Sequence, residues 1–149
     1  MKHVLSLVFT SFIATMSMAQ AAVEGADDPI ILSDEVVDLD DFLWSKRPVL
    51  IFADSPNDPR FIEQMGYITE RLSVLEERDV VVITDTDPGQ QRDLRRKLRP
   101  RGFTLVLVGK DGVIYLRKPV PWQVREITRT IDKLPVRQQE LRDRRPGGS

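Results

Sequence analysis

The chain has no cysteine and a single histidine, His3, in 149 residues. Without cysteine there is no disulfide framework, no thiolate metal site, no thiol nucleophile and no lipid-modified cysteine anchor. Charge of one sign is also missing, since 22 basic and 23 acidic side chains leave a formal charge of -1. No Gly-X-Y or heptad period appears, which sets aside collagenous and coiled-coil classes, and a hydrophobic content of 41% is too high for a disordered chain. What remains is one ordinary globular domain.

The first residues read as a secretory signal. Lys2 and His3 give a positive start, Val4 to Met18 an apolar run, and Ala19, Ala21 and Ala22 small residues at its end. The run is shorter than the ~20 apolar residues of a membrane span and is interrupted by Ser6, Thr10, Ser11, Thr15 and Ser17, so the chain is not expected to span a membrane. Cleavage is expected before Ala22, with an alternative before Gln20, and the product is expected to be periplasmic or secreted. Loss of residues 1–21 removes His3 and leaves Met65 as the one methionine. Ser-His-Asp and Cys-His catalysis, histidine-ligated metals and dithiol redox chemistry are thereby excluded, and no cofactor is implied.

Residues 22–35 are rich in Ala, Gly, Asp and Pro and read as a flexible lead-in, the domain as 36–135, and 136–149 as a basic C-terminal tail. Val36 to Trp44 admits a short helix or an edge strand that brings Trp44 to the core. Val49 to Ala53 is an apolar run that suits a strand buried on both faces. A helix follows with Phe61, Met65, Ile68, Leu72 and Leu75 on one stripe. Its start has two readings, a Ser55 cap with Pro56 or an Asp58 cap with Pro59. Asp79 to Thr84 predicts a second strand, Gly89 to Leu98 an Arg-rich helix, and Phe103 to Val108 and Val113 to Arg117 an antiparallel pair turning on Gly109-Lys110-Asp111-Gly112. A last helix carries Val124, Ile127, Ile131 and Leu134 and is expected to stop at Pro135. Trp122, Tyr67 and Tyr115 read as packing residues. The expected fold is α/β, a thioredoxin-like β-α-β-α-β-β-α order closing into a four-stranded mixed sheet with helices on both faces.

That order resembles the thioredoxin fold in its peroxiredoxin-like branch. Pro48 to Ala53, Asp58-Pro59-Arg60, Phe103 to Gly112 and Ile131 to Glu140 are similar to the bacterial domain-of-unknown-function family numbered 4174, itself similar to the P-DUDES domains of animal sushi-repeat matrix proteins. The similarity spans about Asp38 to Arg142. It implies a fold and an extracytoplasmic setting, and no activity. The departure from thiol chemistry is plain: the loop leaving the first predicted strand, where a redox member carries its cysteines, reads Asp54-Ser55-Pro56-Asn57-Asp58, and Gly102-Phe103-Thr104 stands where a cis-proline would precede a later strand.

Open α/β sheets bind ligands beyond the carboxyl ends of their strands. That edge would gather Asp54, Ser55, Asn57, Asp58, Arg60, Asp85, Arg99, Arg101 and Thr104, with Asp87 beside them. The acids with nearby oxygen donors suit a divalent cation and Arg60 with Arg101 an anionic group. The plainer reading makes Asp58 and Asp87 helix caps, Asp54 and Asp85 turn residues, and the arginines their neutralisers. Charge is also segregated: residues 22–88 hold 5 basic and 17 acidic side chains, residues 89–149 hold 16 and 6. Arg92, Arg95, Arg96 and Arg99 share one helical spacing, flanked by Lys97 and Arg101. This face is either solvated and attracted to the acidic half, or a surface for an unknown protein or anionic ligand. Nucleic acid is disfavoured, because no aromatic interleaves the arginines. Two functions follow: a non-enzymatic binding module on a scaffold without catalytic thiols, or a carboxylate- or metal-dependent hydrolase at the strand-end edge.

Overall fold

The computed structural model describes residues 30–145; the expected signal segment and residues 22–29 of the lead-in lie outside them. Three apolar runs make the centre of a sheet: β2 (Arg47–Phe52), β3 (Val80–Asp85) and β4 (Thr104–Val108). Side chains are buried along both faces of β2 and β4, which is why their sequences are continuous and not alternating. Two further strands flank them, β1 (Ile31–Ser33) and β5 (Ile114–Lys118), in the order β1-β3-β2-β4-β5. β1, β3 and β2 run parallel, while β4 and β5 are antiparallel to their neighbours.

The sheet therefore has five strands and not the expected four. The extra one, β1, falls in the segment read as lead-in: Ile31, Leu32 and Ser33 pair with Val82, Ile83 and Thr84. After it the chain makes two 3-10 turns, Asp34–Val36 and Leu39–Phe42, in place of a helix or strand. Trp44 does not reach the core; it is 68% exposed, at φ 62, its N–H donating to the Lys110 carbonyl at 2.8 Å.

Helices cover both faces. On one, α1 (Pro59–Thr69), α2 (Leu72–Glu76) and α4 (Val124–Asp132) bury Ile68, Leu75, Val124, Ile127 and Ile131 against Val49, Ile51, Val82, Leu105 and Leu107. The stripe read as one helix is two segments, broken at Glu70-Arg71, where Thr69 Oγ1 donates back to the Met65 carbonyl at 2.9 Å, a bond that bends helices. The start follows the second reading: Asp58 caps and Pro59 is the first helical residue. On the other face, α3 (Asp93–Leu98) brings Leu94 and Leu98 onto Leu50, Phe52, Ile83 and Val106. Trp122 packs on the first cluster and exchanges two hydrogen bonds with Gln64 through its own backbone, at 2.7 and 2.9 Å.

Pro135 ends α4 and also opens α5 (Pro135–Asp143), so the start of the segment read as a tail is an ordered helix. It docks through charge. Glu140 accepts from the fully buried Arg47 at 2.9 Å and pairs with Lys110 at 2.7 Å. Those two cations hold its carboxyl at a pKa of about 2, against the pull of its partial burial.

Candidate functional site

The parallel strands β2 and β3 end side by side, Phe52 against Asp85. The loop leaving β2 is folded on itself. Ala53 N–H donates to the Asp85 carbonyl at 2.9 Å, Asn57 N–H to Ser55 Oγ at 3.1 Å, and Asp58 N–H to the Ser55 carbonyl at 3.2 Å. Asp58 accepts from Arg60 N–H at 2.9 Å, and the Arg60 guanidinium forks onto the same carboxylate at 3.1 and 2.8 Å. Arg60 thereby holds the Asp58 carboxyl below the usual carboxylate range. It also lies over Phe103, 5.8 Å from the ring centre. A Cβ on Gly102, which sits at φ +57, would stand 3.7 Å from Arg60 Nη2, so the 101–104 turn closes this corner. Thr104 is buried opposite Phe52, its Oγ1 donating to the Arg101 carbonyl at 3.4 Å.

Behind the loop lies a buried ion pair. Arg95 Nε donates to Asp85 at 2.8 Å, and its Nη2 donates to the Ala53 and Asp85 carbonyls at 2.9 and 3.1 Å. The guanidinium stacks 5.5 Å from the Phe52 ring centre. Asp85 also accepts from Asp87 N–H at 2.9 Å, and Asp87 caps the 3-10 turn Pro88–Gln90 through Gly89 N–H. Burial opposes ionisation of Asp85, but Arg95 and the Asp87 amide overcome it and hold its pKa below the ordinary value. Asp54 is exposed, with its Oδ1 3.9 Å from Arg95 Nη1.

The structure thus brings Asp54, Ser55, Asn57, Asp58 and Arg60 together as a shallow depression, leaves Arg101 outside its lining on the turn before the buried Thr104, and turns Asp85 inward to Arg95. Among the described residues no group of three His, Cys, Asp or Glu side chains is placed to hold a metal ion.

The arginine face is not one face. Arg92 precedes α3 and pairs with Asp34 at 2.8 Å and Glu35 at 3.1 Å. Arg95 is buried, contrary to its reading as part of a solvated surface, because it shares a helix side with Leu98 three residues on. Arg96 pairs with Asp93. The turn out of α3 differs: Lys97, Arg99 and Arg101 are exposed, and none forms an ion pair among the described residues. Arg99 ends the helix in the left-handed conformation at φ 48. Of the groups central to this network, Asp34 was not a candidate from the sequence, and Arg95 was read only as part of the arginine face. The Leu94/Leu98 spacing points to Arg95, whereas nothing local marks Asp34.

A five-stranded sheet in this order, with helices on both faces, is a thioredoxin-like fold. The solved structures agree. The chain is similar to Plasmodium yoelii thioredoxin peroxidase I, at 18% identity and a TM-score of 0.50 over 69% of this chain and 80% of that one. It is similar also to the reduced 2-Cys peroxiredoxin of Plasmodium vivax, at 15% identity and a TM-score of 0.55 over 70% and 85%. Residues 38–140 match the family described as Domain of unknown function (DUF4174), and the chain belongs to it. No curated protein matches the sequence. The scaffold is shared with thiol enzymes, but this chain carries no cysteine with which to perform their chemistry.

Proposed function

We propose that the protein is exported and works as a non-enzymatic binding module, using the basic rim of Lys97, Arg99 and Arg101 to hold an acidic partner or another anionic ligand. The observation that carries this reading is the division of the arginines. Arg92, Arg95 and Arg96 neutralise acids of the same domain, while Lys97, Arg99 and Arg101 pair with no carboxylate among the described residues. Exposed cations without internal partners attract anions from solution and set the rate of encounter. The leader-like sequence of residues 1–21 supports export.

A hydrolase at the same edge is less well supported. Asp58 is held by Arg60, Asp85 by Arg95, and Asp54 faces solvent beside a Ser55 hydroxyl that accepts from the Asn57 N–H. A general base needs a proton donor or water held within hydrogen-bond reach, and the loop spends its donors on itself.

The test is capture from periplasmic extract on immobilised protein starting at Ala22, alongside a panel of hydrolase substrates. Retention of an acidic component that 1 M salt elutes, with no turnover, is the expected result, since the Debye length falls to ~3 Å there. Turnover with no retention would reverse the assignment in favour of the hydrolase.

A further inference from the structure

The last register pair between β1 and β3 is Ser33 with Thr84, so Asp34 and Asp85 leave the sheet side by side. Both are buried, with side-chain exposures of 0% and 1%. Arg92 Nη1 lies 2.8 Å from Asp34 Oδ1 and 3.9 Å from Asp85 Oδ1, and Arg95 Nε takes Asp85 Oδ2 at 2.8 Å. Every carboxylate oxygen except one is thereby placed against a donor: Asp34 Oδ2 is sealed from water with no partner. Arg92 Nη1 reaches both carboxylates, so the two stand side by side at one guanidinium. Two ionised carboxylates only accept, so a bond between them needs a proton on one, and the unpartnered oxygen is where it fits.

We propose that Asp34 and Asp85 share one proton, and that this proton latches β1 and the turn after it onto the sheet, making the edge strand sensitive to pH. The charged groups around the pair, element by element, are Glu35 and Asp38 after β1, Asp87 after β3, Arg92 at the cap of α3 with Asp93, Arg95 and Arg96 from the helix, and Asp54 from the loop after β2. Their balance matters. With the proton in place Arg92 and Arg95 face Asp85, Glu35 and Asp54, and Asp34 is neutral. Without it a second anion stands in a site closed to water. Burial and the Asp85 charge push the Asp34 carboxyl up to about 6, and Arg92 offsets only part of that. In the opened segment Asp34 returns to an ordinary carboxyl, at 3.8. Opening is then favoured as pH rises, by about tenfold between pH 5 and 7.5 from this one group. β1 has only three residues, and apart from the latch it is held by its pairing with β3 and by Ile31 against the core.

The test is a carboxyl-carbon NMR titration of the full chain. Amide exchange of Ile31 to Ser33 and of Val82, corrected for the intrinsic pH dependence, is measured at pH 5 and 7.5. Asp34 titrating near 6, and edge protection falling about tenfold between the two pH values, is the expected result. In Asp34→Asn the side-chain amide still donates to Asp85, so the fall should vanish. Asp34 titrating near 4 in the wild-type chain, or an unchanged fall in Asp34→Asn, would overturn the latch. The wild-type titration decides even if the variant does not fold.

Discussion

Arg95 and Arg96 are neighbours in sequence and opposites in surroundings. Arg95 is 8% exposed and its donors are spent on Asp85 and two carbonyls; Arg96 is exposed and touches only Asp93. Arg95→Gln leaves Asp85 buried without its cation and should cost about 3–5 kcal/mol in chemical denaturation. Arg96→Gln should cost ~0–1 kcal/mol. Equal small losses for both would mean that Arg95 is solvated after all. Trp44 makes a second residue-scale case. It holds a left-handed backbone at φ 62 while remaining largely exposed, a conformation that costs a residue with a Cβ ~1–2 kcal/mol. Trp44→Gly should therefore raise the unfolding midpoint or leave it unchanged, although a large aromatic is lost. The sequence could not show this: Val36 to Trp44 is apolar enough to suggest burial, and only the hydrogen bond to Lys110 in the distant hairpin fixes the turn that points Trp44 outward.

Elements were legible in proportion to their apolar periodicity. The strands around Leu50, Val82 and Val106 and the helix from Val124 to Ile131 stand where the pattern put them, because each buries a continuous run or a full helical face, whereas the stripe from Phe61 to Leu75 keeps its buried side but is split into two helices. β1 was not legible, since three residues carry no period and its stability comes from pairing with β3. α5 was missed for a different reason: its hold on the body is ionic, and a basic segment rich in Arg and Gln reads as solvated until Arg47 and Lys110 are seen around Glu140. Because Arg47 has no exposure and its Nε already lacks a partner, Glu140→Gln should lower stability by about 2–4 kcal/mol. It should also increase proteolysis within Pro135–Asp143 ahead of the sheet. A variant with wild-type stability would show that α5 docks by packing alone. The candidate edge was legible as a place, through the rule for open sheets, but not as a division of labour, which depends on which side of α3 each arginine faces.

At the scale of the whole molecule the ion pairs that join the acidic and basic halves shape its response to pH. Asp34 has a folded pKa of about 6 against an ordinary 3.8, so it binds protons more tightly when folded, and stability falls as pH rises between those values. Glu140 is shifted the other way, to about 2 from an ordinary 4.5, so its contribution is present above 4.5 and lost as pH falls through 2. Asp85, also lowered, acts in the same direction as Glu140. Together they place the stability maximum near pH 4–5, and Asp34→Asn should flatten the decline toward neutrality in a series of denaturation curves. A maximum at pH 7 or above would contradict these assignments.

Lys97, Arg99 and Arg101 are exposed and make no ion pair among the described residues, and the proposed function rests on them. The most direct measurement is binding of the full chain to poly-L-glutamate, followed by titration at 50 mM and 200 mM salt. Wild type is compared with Arg99→Gln/Arg101→Gln and with Arg125→Gln/Arg129→Gln, a pair on the exposed side of α4. The first double variant is expected to lose most of the affinity and of its salt dependence at an unchanged melting temperature, while the second retains both. Equal affinity for all three proteins, or equal loss in both variants, would contradict it, because the attraction would then belong to overall charge and not to the rim.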